Sequence, residues 1–332
     1  MVKSGLDVIG VGNAIVDVLA DADDAFLAAH GIPKGGMILI DEARAREIQS
    51  SMAPGREISG GSAANSIACL SSLGGRGGFV GKVADDRLGE TFRREIKAMG
   101  VVFNTSALAA GPGTGRCLIN VTSDAQRSMS TYLGAAGLVA PEDIDTRMVA
   151  GAAITFFEGY LFEQPVARQA FIKACLAAKA AGKRAAITLS DSSCVDRQHD
   201  TFVGFIGDHV DVLLANEREA QTLFKTDDMK AIVKKARALC PLTAVTLSER
   251  GSLLIPRDGD VVKVDAIEPD RLVDTTGAGD AYAAGLLFGL SRGAELQRCG
   301  ALGALAASEI ISHFGARPEQ NLEALARKAG LL

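Results

Sequence analysis

The sequence predicts an α/β protein: a three-layer α/β/α domain with a mainly parallel β-sheet, together with a small, separate β-sheet. Two patterns lead to this prediction. Beyond about residue 150, short apolar strands alternate with helices of roughly 10 to 18 residues, which is typical of a parallel sheet covered by helices on both faces. Nearer the N-terminus, several strands lack connecting helices long enough for parallel crossovers, which indicates a second sheet.

The N-terminal half contributes strands to both sheets. The run 6–11 is rich in β-forming residues, and apolar residues then alternate as far as Ala20. Helix 62–73 opens directly after two glycines, helix 86–99 has an amphipathic pattern, and two later strands flank a turn at 123–125. We expect strands at 6–11, 13–20, 37–40, 78–83, 116–122 and 128–133, and helices at 23–30, 42–51, 62–73 and 86–99.

The C-terminal half has the more regular alternation. Strand 153–160 leads into helix 164–181, which ends at Gly182. Helix 278–290 consists of small and apolar residues that suit burial. We expect strands at 153–160, 184–189, 210–214, 244–247, 252–255 and 261–264, and helices at 164–181, 217–224, 228–240, 278–290, 294–314 and 319–329.

The two predicted sheets suggest two structural units. The chain has 332 residues, which is enough for one large domain with a small appendage. We expect the small sheet to act as a lid on the large domain. The predicted large domain comprises residues 1–12, 59–110 and 135–332, and the predicted lid comprises residues 13–58 and 111–134. A monomer and a homodimer are both compatible with these patterns.

The composition argues against several classes of protein. The net charge is −5, which disfavours nucleic acid as the main partner because DNA-binding proteins usually present a basic surface. No two of the six cysteines have C-x-x-C spacing, so we expect buried thiols rather than disulfides or a zinc site. Asp7 interrupts the N-terminal apolar run, and no window of about 18 residues is apolar throughout. We therefore expect a cytoplasmic protein without a membrane partner.

The strongest chemical signal is residues 274–280, which read Asp-Thr-Thr-Gly-Ala-Gly-Asp and stand directly before the apolar helix. Gly277 and Gly279 leave backbone amides uncovered at the helix start, where the helix dipole adds partial positive charge. Such a site suits the negative charge that develops on a phosphoryl group during transfer. Asp280 beside it would take a proton from the acceptor hydroxyl. The alternative is that Asp280 only caps the helix.

Two further motifs have the residue types of a ligand site. Gly60 and Gly61 precede a helix of small residues, so that their amides and Asn65 could face a polyhydroxylated ligand. The alternative is a tight turn in which a serine caps the helix. Asn216 and Glu219 follow a predicted strand, at the edge where ligands bind in open α/β sheets, and could orient water around Mg²⁺. The alternative is an ordinary helix start with solvent-facing charges.

The motifs of other enzyme classes are incomplete. Gly10 and Gly12 are followed by Ile15 where a dinucleotide-binding fingerprint needs its third glycine, which argues against a nicotinamide oxidoreductase. Neither Gly-Lys pair continues as a Walker A motif, the histidines form no H-E-x-x-H site, and no G-x-S-x-G nucleophile elbow is present. A non-catalytic ligand sensor on the same fold would be expected to lack the base, whereas Asp280 is present.

The motifs at 59–66, 216–220 and 274–280, in this order and spacing, resemble the ribokinase-like (PfkB) carbohydrate kinase family over essentially the whole chain. The resemblance implies the ribokinase-like fold and ATP-dependent phosphorylation of an alcohol, with Mg²⁺. It implies that Asp280 is the base and that Gly277, Ala278 and Gly279 form the anion hole.

The same resemblance implies roles for other residues. Arg127 would reach the phosphates from the lid, and Asp274 would help to hold a monovalent cation such as K⁺. The acceptor would contact Asn13, Asp17, Gly60, Gly61 and Asn65, and the expected walls of a base pocket are Met37, Leu133, Ala135, Ala136 and Tyr160. The nucleotide would lie along Asn216, Thr246, Ser248, Gly251, Thr276, Gly277 and Gly279, with Mg²⁺ held through water by Asn216 and Glu219.

Within this family the chain is most similar to the adenosine kinases, as residues 114–117 and 306–311 indicate. The resemblance implies that the acceptor is the 5′-hydroxyl of a nucleoside, with adenosine converted to AMP in purine salvage. Thr276 stands where adenosine kinases often have asparagine, and Tyr160 and Leu161 stand in place of two phenylalanines. The alternative is therefore a kinase of ribose, fructose or a related sugar.

Overall fold

The computed structural model describes residues 5–124 and 126–332. Met1–Ser4, which precede the first predicted strand, and Ala125, in the predicted turn at 123–125, lie outside the described residues. The strands are β1 (Leu6–Val11), β2 (Ile15–Asp21), β3 (Met37–Leu39), β4 (Arg56–Gly60), β5 (Gly77–Val80), β6 (Val102–Phe103), β7 (Gly115–Val121), β8 (Arg127–Tyr132), β9 (Ala152–Glu158), β10 (Arg184–Thr188), β11 (Val212–Asn216), β12 (Leu242–Thr246), β13 (Ser252–Pro256) and β14 (Val262–Val264).

Helices connect these strands and cover them. They are α1 (Asp24–Ala29), α2 (Glu42–Ser51), α3 (Ser62–Ser72), α4 (Arg87–Ala98), α5 (Thr146–Gly151), α6 (Gly159–Phe162), α7 (Pro165–Ala180), α8 (Ser192–Arg197), α9 (His199–His209), α10 (Glu217–Phe224), α11 (Met229–Leu239), α12 (Ala278–Ser291), α13 (Leu296–Ile310) and α14 (Leu322–Lys328). Short 3₁₀ helices occupy Gly134–Leu138, Pro141–Asp143 and Ser248–Arg250.

The large sheet has nine strands in the order β14-β13-β12-β11-β10-β9-β1-β5-β6. Every pair from β12 through β6 is parallel, whereas β13 and β14 pair antiparallel at the other edge. One apolar core contains Ile67 of α3 and Leu286 of α12, and a second contains Phe171 of α7 and Phe202 of α9. Helices therefore lie on both faces, and the predicted three-layer α/β/α fold class is confirmed.

The small sheet has five strands in the order β3-β8-β7-β2-β4 and mixes parallel with antiparallel pairs. A small core that includes Val18, Leu27 and Ile48 packs α1 and α2 against one of its faces. Side chains alternate across a strand, so Asp17 of β2 lies on the opposite face. β4 extends to Gly60, two residues beyond the predicted lid boundary. Movement of this sheet as a lid stays a prediction.

The structure differs from the predicted elements in several places. The predicted strand 153–160 is wrong at its end, because β9 stops at Glu158 and Tyr160 lies in α6. The predicted helix 294–314 is shorter in the structure, and the last helix begins later because Asn321 caps it. The sequence patterns missed β4, β6, α5, α6, α8 and α9. β6 and α6 are too short to show a period, whereas Phe202, Phe205 and Ile206 of α9 do follow helical spacing.

The six cysteines are unpaired and buried, as expected. Within the part of the chain that the structure describes, no helix combines the length and the hydrophobicity that crossing a membrane requires. α12 packs between α13 and α3, and this packing brings the two glycine-containing motifs together.

Candidate active site

The start of α12 is an open helix end. Gly277 is the N-cap residue with φ of +80°, a conformation that favours glycine, and a Cβ there would collide with Ala316. Among the described residues no side chain caps the helix, and the Ala278 amide donates to the Thr275 carbonyl oxygen at 3.2 Å, so the other amides of the first turn are left for a ligand. A Cβ on Gly279 would meet no atom within 4 Å. The helix end therefore has the geometry of an anion site.

The Asp280 carboxylate points away from the helix backbone, towards α3. It accepts hydrogen bonds from Ser62 Oγ at 2.6 Å and from Asn65 Nδ2 at 3.0 Å. The alternative that Asp280 caps the helix is therefore wrong. Burial raises its pKa to about 6, although the two hydrogen bonds and the charge of Arg317 act in the opposite direction. Such a group is ionised at neutral pH and readily accepts a proton.

The turn between β4 and α3 is packed closely against β2. Gly61 has φ of +99° and is the N-cap of α3, and a Cβ there would collide with the Asn13 carbonyl. The Asp17 carboxylate lies against the α-carbon of Gly60. The alternative that a serine caps α3 is wrong, because Gly61 stands at that position and Ser62 donates to Asp280.

Three polar side chains around this turn are poised for a hydroxyl-bearing ligand. Burial raises the pKa of Asp17 to about 6, against the charges of Arg317 and Arg127. The Oδ1 atoms of Asn13 and Asn65 are buried and have no hydrogen-bond partner among the described residues. Buried acceptors are rarely left unpaired in folded proteins unless a ligand or water satisfies them. The structure thus brings Asn13, Asp17, Gly60, Gly61 and Asn65 together with Asp280.

Glu158 is a site residue that the sequence patterns did not identify. It is fully buried at the end of β9 and accepts hydrogen bonds from Asn13 N, Asn13 Nδ2 and Ala63 N, at 2.8, 2.6 and 2.8 Å. Burial raises its pKa to about 7. This carboxylate thus holds Asn13 and the start of α3 in place through hydrogen bonds. The sequence does contain a feature that could have identified it, because Glu158 is the one charged residue in β9, which is otherwise apolar apart from a threonine.

A cavity of about 130 Å³ lies between the small sheet and the large sheet's helices. Asp17 and Asn65 line it together with Arg127 and Thr276, and Arg317 also lines it. Arg317 is the second residue that the sequence patterns missed. It stands in the irregular segment between α13 and α14, where no periodicity identifies a residue as functional.

Arg127 of β8 forms an ion pair with Asp274, and the two side chains are only 8% and 6% exposed. The Asp274 carboxylate also accepts hydrogen bonds from the amides of Gly315 and Thr276, both at 3.0 Å. The small sheet is thereby tied to the segment that leads into α12. Arg127 contacts Asp274 here, and its expected contact with phosphates stays a prediction.

Asn216 and Glu219 form a reciprocal cap at the start of α10. Glu219 N donates to Asn216 Oδ1, and Asn216 donates through N and Nδ2 to the two Glu219 carboxylate oxygens, all between 2.7 and 2.9 Å. The helix-start alternative is therefore correct in geometry, except that Glu219 is buried. Burial raises its pKa to about 7, and the charges of Asp191 and Asp280 contribute. A magnesium role is compatible with this placement and stays a prediction.

Three of the residues expected along the nucleotide lie at the end of β12 and just beyond it. Thr246 ends that strand, and Ser248 opens the following 3₁₀ helix with φ of +54°. Gly251 has φ of +84° and begins the return into β13. β12 and β11 are neighbours in the large sheet, so these residues and Asn216 share one sheet edge.

The expected walls of a base pocket are spread along the small sheet and its exit. Met37 lies on the edge strand β3 and is 42% exposed, whereas Ala135 and Ala136 are fully buried in the 3₁₀ helix that follows β8. Leu133 precedes that helix, and Tyr160 stands in α6. None of the five lies among the residues lining the cavity described above.

Comparison with known proteins gives a consistent result. A family model described as pfkB family carbohydrate kinase matches residues 37–322. Adenosine kinase of Saccharomyces cerevisiae is 26% identical over 327 residues, which cover 92% of this chain and 94% of the yeast protein.

Two solved structures are similar over almost the whole chain. A probable sugar kinase protein from Rhizobium etli CFN 42 is 42% identical with a TM-score of 0.93, and the match covers 100% of both chains. Adenosine kinase from Sinorhizobium meliloti is 46% identical with a TM-score of 0.92, and the match covers 98% of this chain and 100% of that one. These matches show that the chain belongs to the pfkB family of carbohydrate kinases, which are phosphotransferases with an alcohol group as acceptor.

Proposed function

We propose that this protein transfers the γ-phosphoryl group of ATP to the 5′-hydroxyl of a nucleoside, with adenosine, giving AMP, as the first candidate. One observation carries the proposal: the Asp280 carboxylate stands at the uncapped start of α12 and is oriented by Ser62 and Asn65. The similarity to the Sinorhizobium meliloti adenosine kinase, at 46% identity, supports the choice of a nucleoside.

Asp280 would act as the general base. Its pKa of about 6 leaves it ionised at neutral pH, and its hydrogen bonds to two α3 side chains hold the carboxylate in one orientation. The amides of Gly277 and Gly279 would stabilise the charge that develops on the transferring phosphoryl group, whereas the Ala278 amide already donates to the Thr275 carbonyl. Base and anion site belong to the same helical turn, so their spacing is rigid.

The acceptor would lie on the β4–α3 turn. Asp17 offers acceptor oxygens to ribose hydroxyls, and so do the Oδ1 atoms of Asn13 and Asn65, which have no hydrogen-bond partner among the described residues. Gly60 and Gly61 have no side chains, which lets Asp17 and Asn13 approach this turn closely. Asp17 of β2 and Asn65 of α3 line the cavity, and Asn13 lies in the connection between β1 and β2. Closure of the small sheet would then exclude water, which otherwise competes as phosphoryl acceptor.

ATP would bind along the edge formed by Asn216, Thr246, Ser248 and Gly251. Mg²⁺ fits this edge through water rather than by direct ligation, because Asn216 and Glu219 already hydrogen-bond each other. When bound, Mg²⁺ neutralises charge on the β- and γ-phosphate oxygens. Both carboxylate oxygens of Asp274 already accept hydrogen bonds. A role for Asp274 in holding a monovalent cation stays a prediction.

The adenine ring would meet apolar surface on the small sheet. Met37 and Leu39 of β3 are 42% and 55% exposed, and Leu138 is 44% exposed at the end of the helix that follows β8. β3 is the edge strand of the small sheet and pairs with β8, and the helix that carries Leu138 follows β8. Exposed apolar side chains suit a planar base, whereas a free sugar would leave them uncovered.

A screen of acceptors tests this proposal. Adenosine, inosine, guanosine, cytidine, ribose and fructose are each offered with Mg-ATP, and kcat/KM is measured. We expect the highest value with adenosine. A preference for ribose or fructose would instead support the alternative sugar kinase, which Thr276 favours. If the phosphoryl group is transferred to none of the six acceptors, the kinase proposal is refuted.

A further inference from the structure

The guanidinium of Arg317 reaches across from the segment between α13 and α14 to the β4–α3 turn. Its Nε and Nη2 donate to the Ser59 carbonyl oxygen at 3.1 and 2.9 Å, and Nη1 donates to the Ala64 carbonyl oxygen at 2.8 Å. Arg317 therefore ties together the two ends of the segment that carries Gly60 and Gly61. The planar fork of arginine makes such a double contact, whereas the point charge of lysine does not.

Ser59 is also held from its other side. Its amide donates to Oε2 of Glu95, on α4, at 2.7 Å. Glu95 and Arg317 thus fix the N–H and the C=O of the same residue. Gly61 beyond it has φ of +99° and no side chain of its own to restrain it. A turn built on two glycines needs such external contacts to keep one conformation.

Arg317 also acts on both carboxylates of the site through its charge. Burial is the largest influence on Asp17 and Asp280 and raises the pKa of each to about 6, while Arg317 acts in the lowering direction on both. Burial in turn lowers the pKa of Arg317 itself. Arg317 donates its hydrogen bonds to the carbonyl oxygens of Ser59 and Ala64 and to the Ser59 hydroxyl, so its charge acts on the two carboxylates through space.

We propose that Arg317 is a positioning residue for phosphoryl transfer: it fixes the acceptor turn through Ser59 and Ala64 and places a positive charge beside Asp17 and Asp280. This inference rests on the proposed kinase function and adds a residue to it. In this proposal Arg317 acts through the turn and through its charge, and it does not touch the reacting atoms.

Other ionisable groups face Asp280 from several elements. They are Asp17 on β2, Cys69 on α3, Glu158 on β9, Tyr160 on α6 and Glu219 on α10. None of them carries a positive charge, and among the described residues Arg317 is the cation that acts on Asp280. Removal of the Arg317 charge should therefore raise the pKa of Asp280, because its carboxylate becomes harder to ionise.

The test compares R317Q and R317K with the unsubstituted protein, using adenosine and Mg-ATP over a range of pH. R317Q should raise the KM for adenosine about tenfold or more, because the turn loses both carbonyl contacts. It should also shift the acidic limb of kcat/KM to higher pH by about 0.5 to 1 unit. R317K should leave that limb in place, since the charge is kept, while KM still rises.

R271Q is the matched control. Arg271 is exposed and donates to the Ser312 carbonyl in the same C-terminal segment, so R271Q also removes one charge and one backbone contact there. It should change neither KM nor the pH limb.

An R317Q protein with unchanged KM and pH limb would overturn the positioning role. So would a loss of kcat alone, accompanied by a lower thermal midpoint and an unmoved limb, because that pattern indicates a structural role only. Absence of turnover in the unsubstituted protein would overturn the kinase function as well, whereas normal turnover there limits failure to Arg317.

Discussion

Replacement of Asp280 by asparagine removes the proposed base while it keeps the size of the side chain. Ser62 and Asn65, which now donate to the carboxylate, can adapt to the amide. The hydroxyl of Ser62 can accept instead of donate, and the unpaired Oδ1 of Asn65 can accept from the new NH₂ group if the Asn65 amide rotates. The local structure should therefore be preserved, so a change in activity reports on the chemistry.

Turnover of D280N should fall by roughly 10²–10⁴-fold, the usual contribution of a general base. This corresponds to about 2.7–5.5 kcal/mol of transition-state free energy. The KM for adenosine should change only a few-fold, because the ribose contacts proposed for Asp17 and Asn13 remain.

Stability should change in the opposite direction. The pKa of Asp280 is raised from 3.8 to about 6 in the folded protein. The folded state therefore binds the proton more tightly, stability increases as the pH falls through 6 towards 4, and the ionised carboxylate destabilises the fold at neutral pH. A shift of about 2 pH units corresponds to at most roughly 3 kcal/mol. D280N should gain part of this free energy of unfolding.

The assay combines steady-state kinetics with urea denaturation at pH 7.5. D258N is the matched control, because Asp258 is exposed in the turn between β13 and β14 and undergoes the same chemical change. It should alter neither measurement. A D280N turnover within tenfold of the unsubstituted protein would refute the base assignment. A large loss of turnover together with a lower urea midpoint would attribute the loss to unfolding and would also contradict the reasoning above.

Three further predictions concern the same site. Because Asp280 must be ionised to accept a proton and has a pKa of about 6, kcat/KM should fall about tenfold per pH unit below that value; a flat profile between pH 5 and 7 would contradict this. Gly277→Ala should lower both turnover and the thermal midpoint, because φ is +80° and the new methyl group meets Ala316, whereas Gly279→Ala, in open space, should lower turnover with little change in stability. Arg127→Ala should cost about 3–5 kcal/mol in urea denaturation, because it leaves the buried carboxylate of its ion-pair partner without a countercharge; a loss below about 1 kcal/mol would show that the two amide contacts suffice.

The sequence patterns were most informative where the signal is local and repeated. The alternation of strands and helices beyond residue 150 predicted the parallel part of the large sheet, and the shortage of crossovers earlier in the chain predicted the small sheet. The patterns failed for β6, which has two residues, and for α8, which has six. Tertiary contacts rather than local propensity stabilise such elements.

The candidate site divides in the same way. Residues 277–280 lie within one helical turn, so the sequence alone determined that an uncovered helix end and a carboxylate would be neighbours. Only the tertiary structure decided what that carboxylate contacts, because Ser62 precedes it by 218 residues and meets it through the packing of α3 against α12. The same holds for Arg317, which lies 258 residues beyond Ser59. Contacts at such separations have no period or spacing along the chain, since the packed fold alone brings the partners within hydrogen-bonding distance.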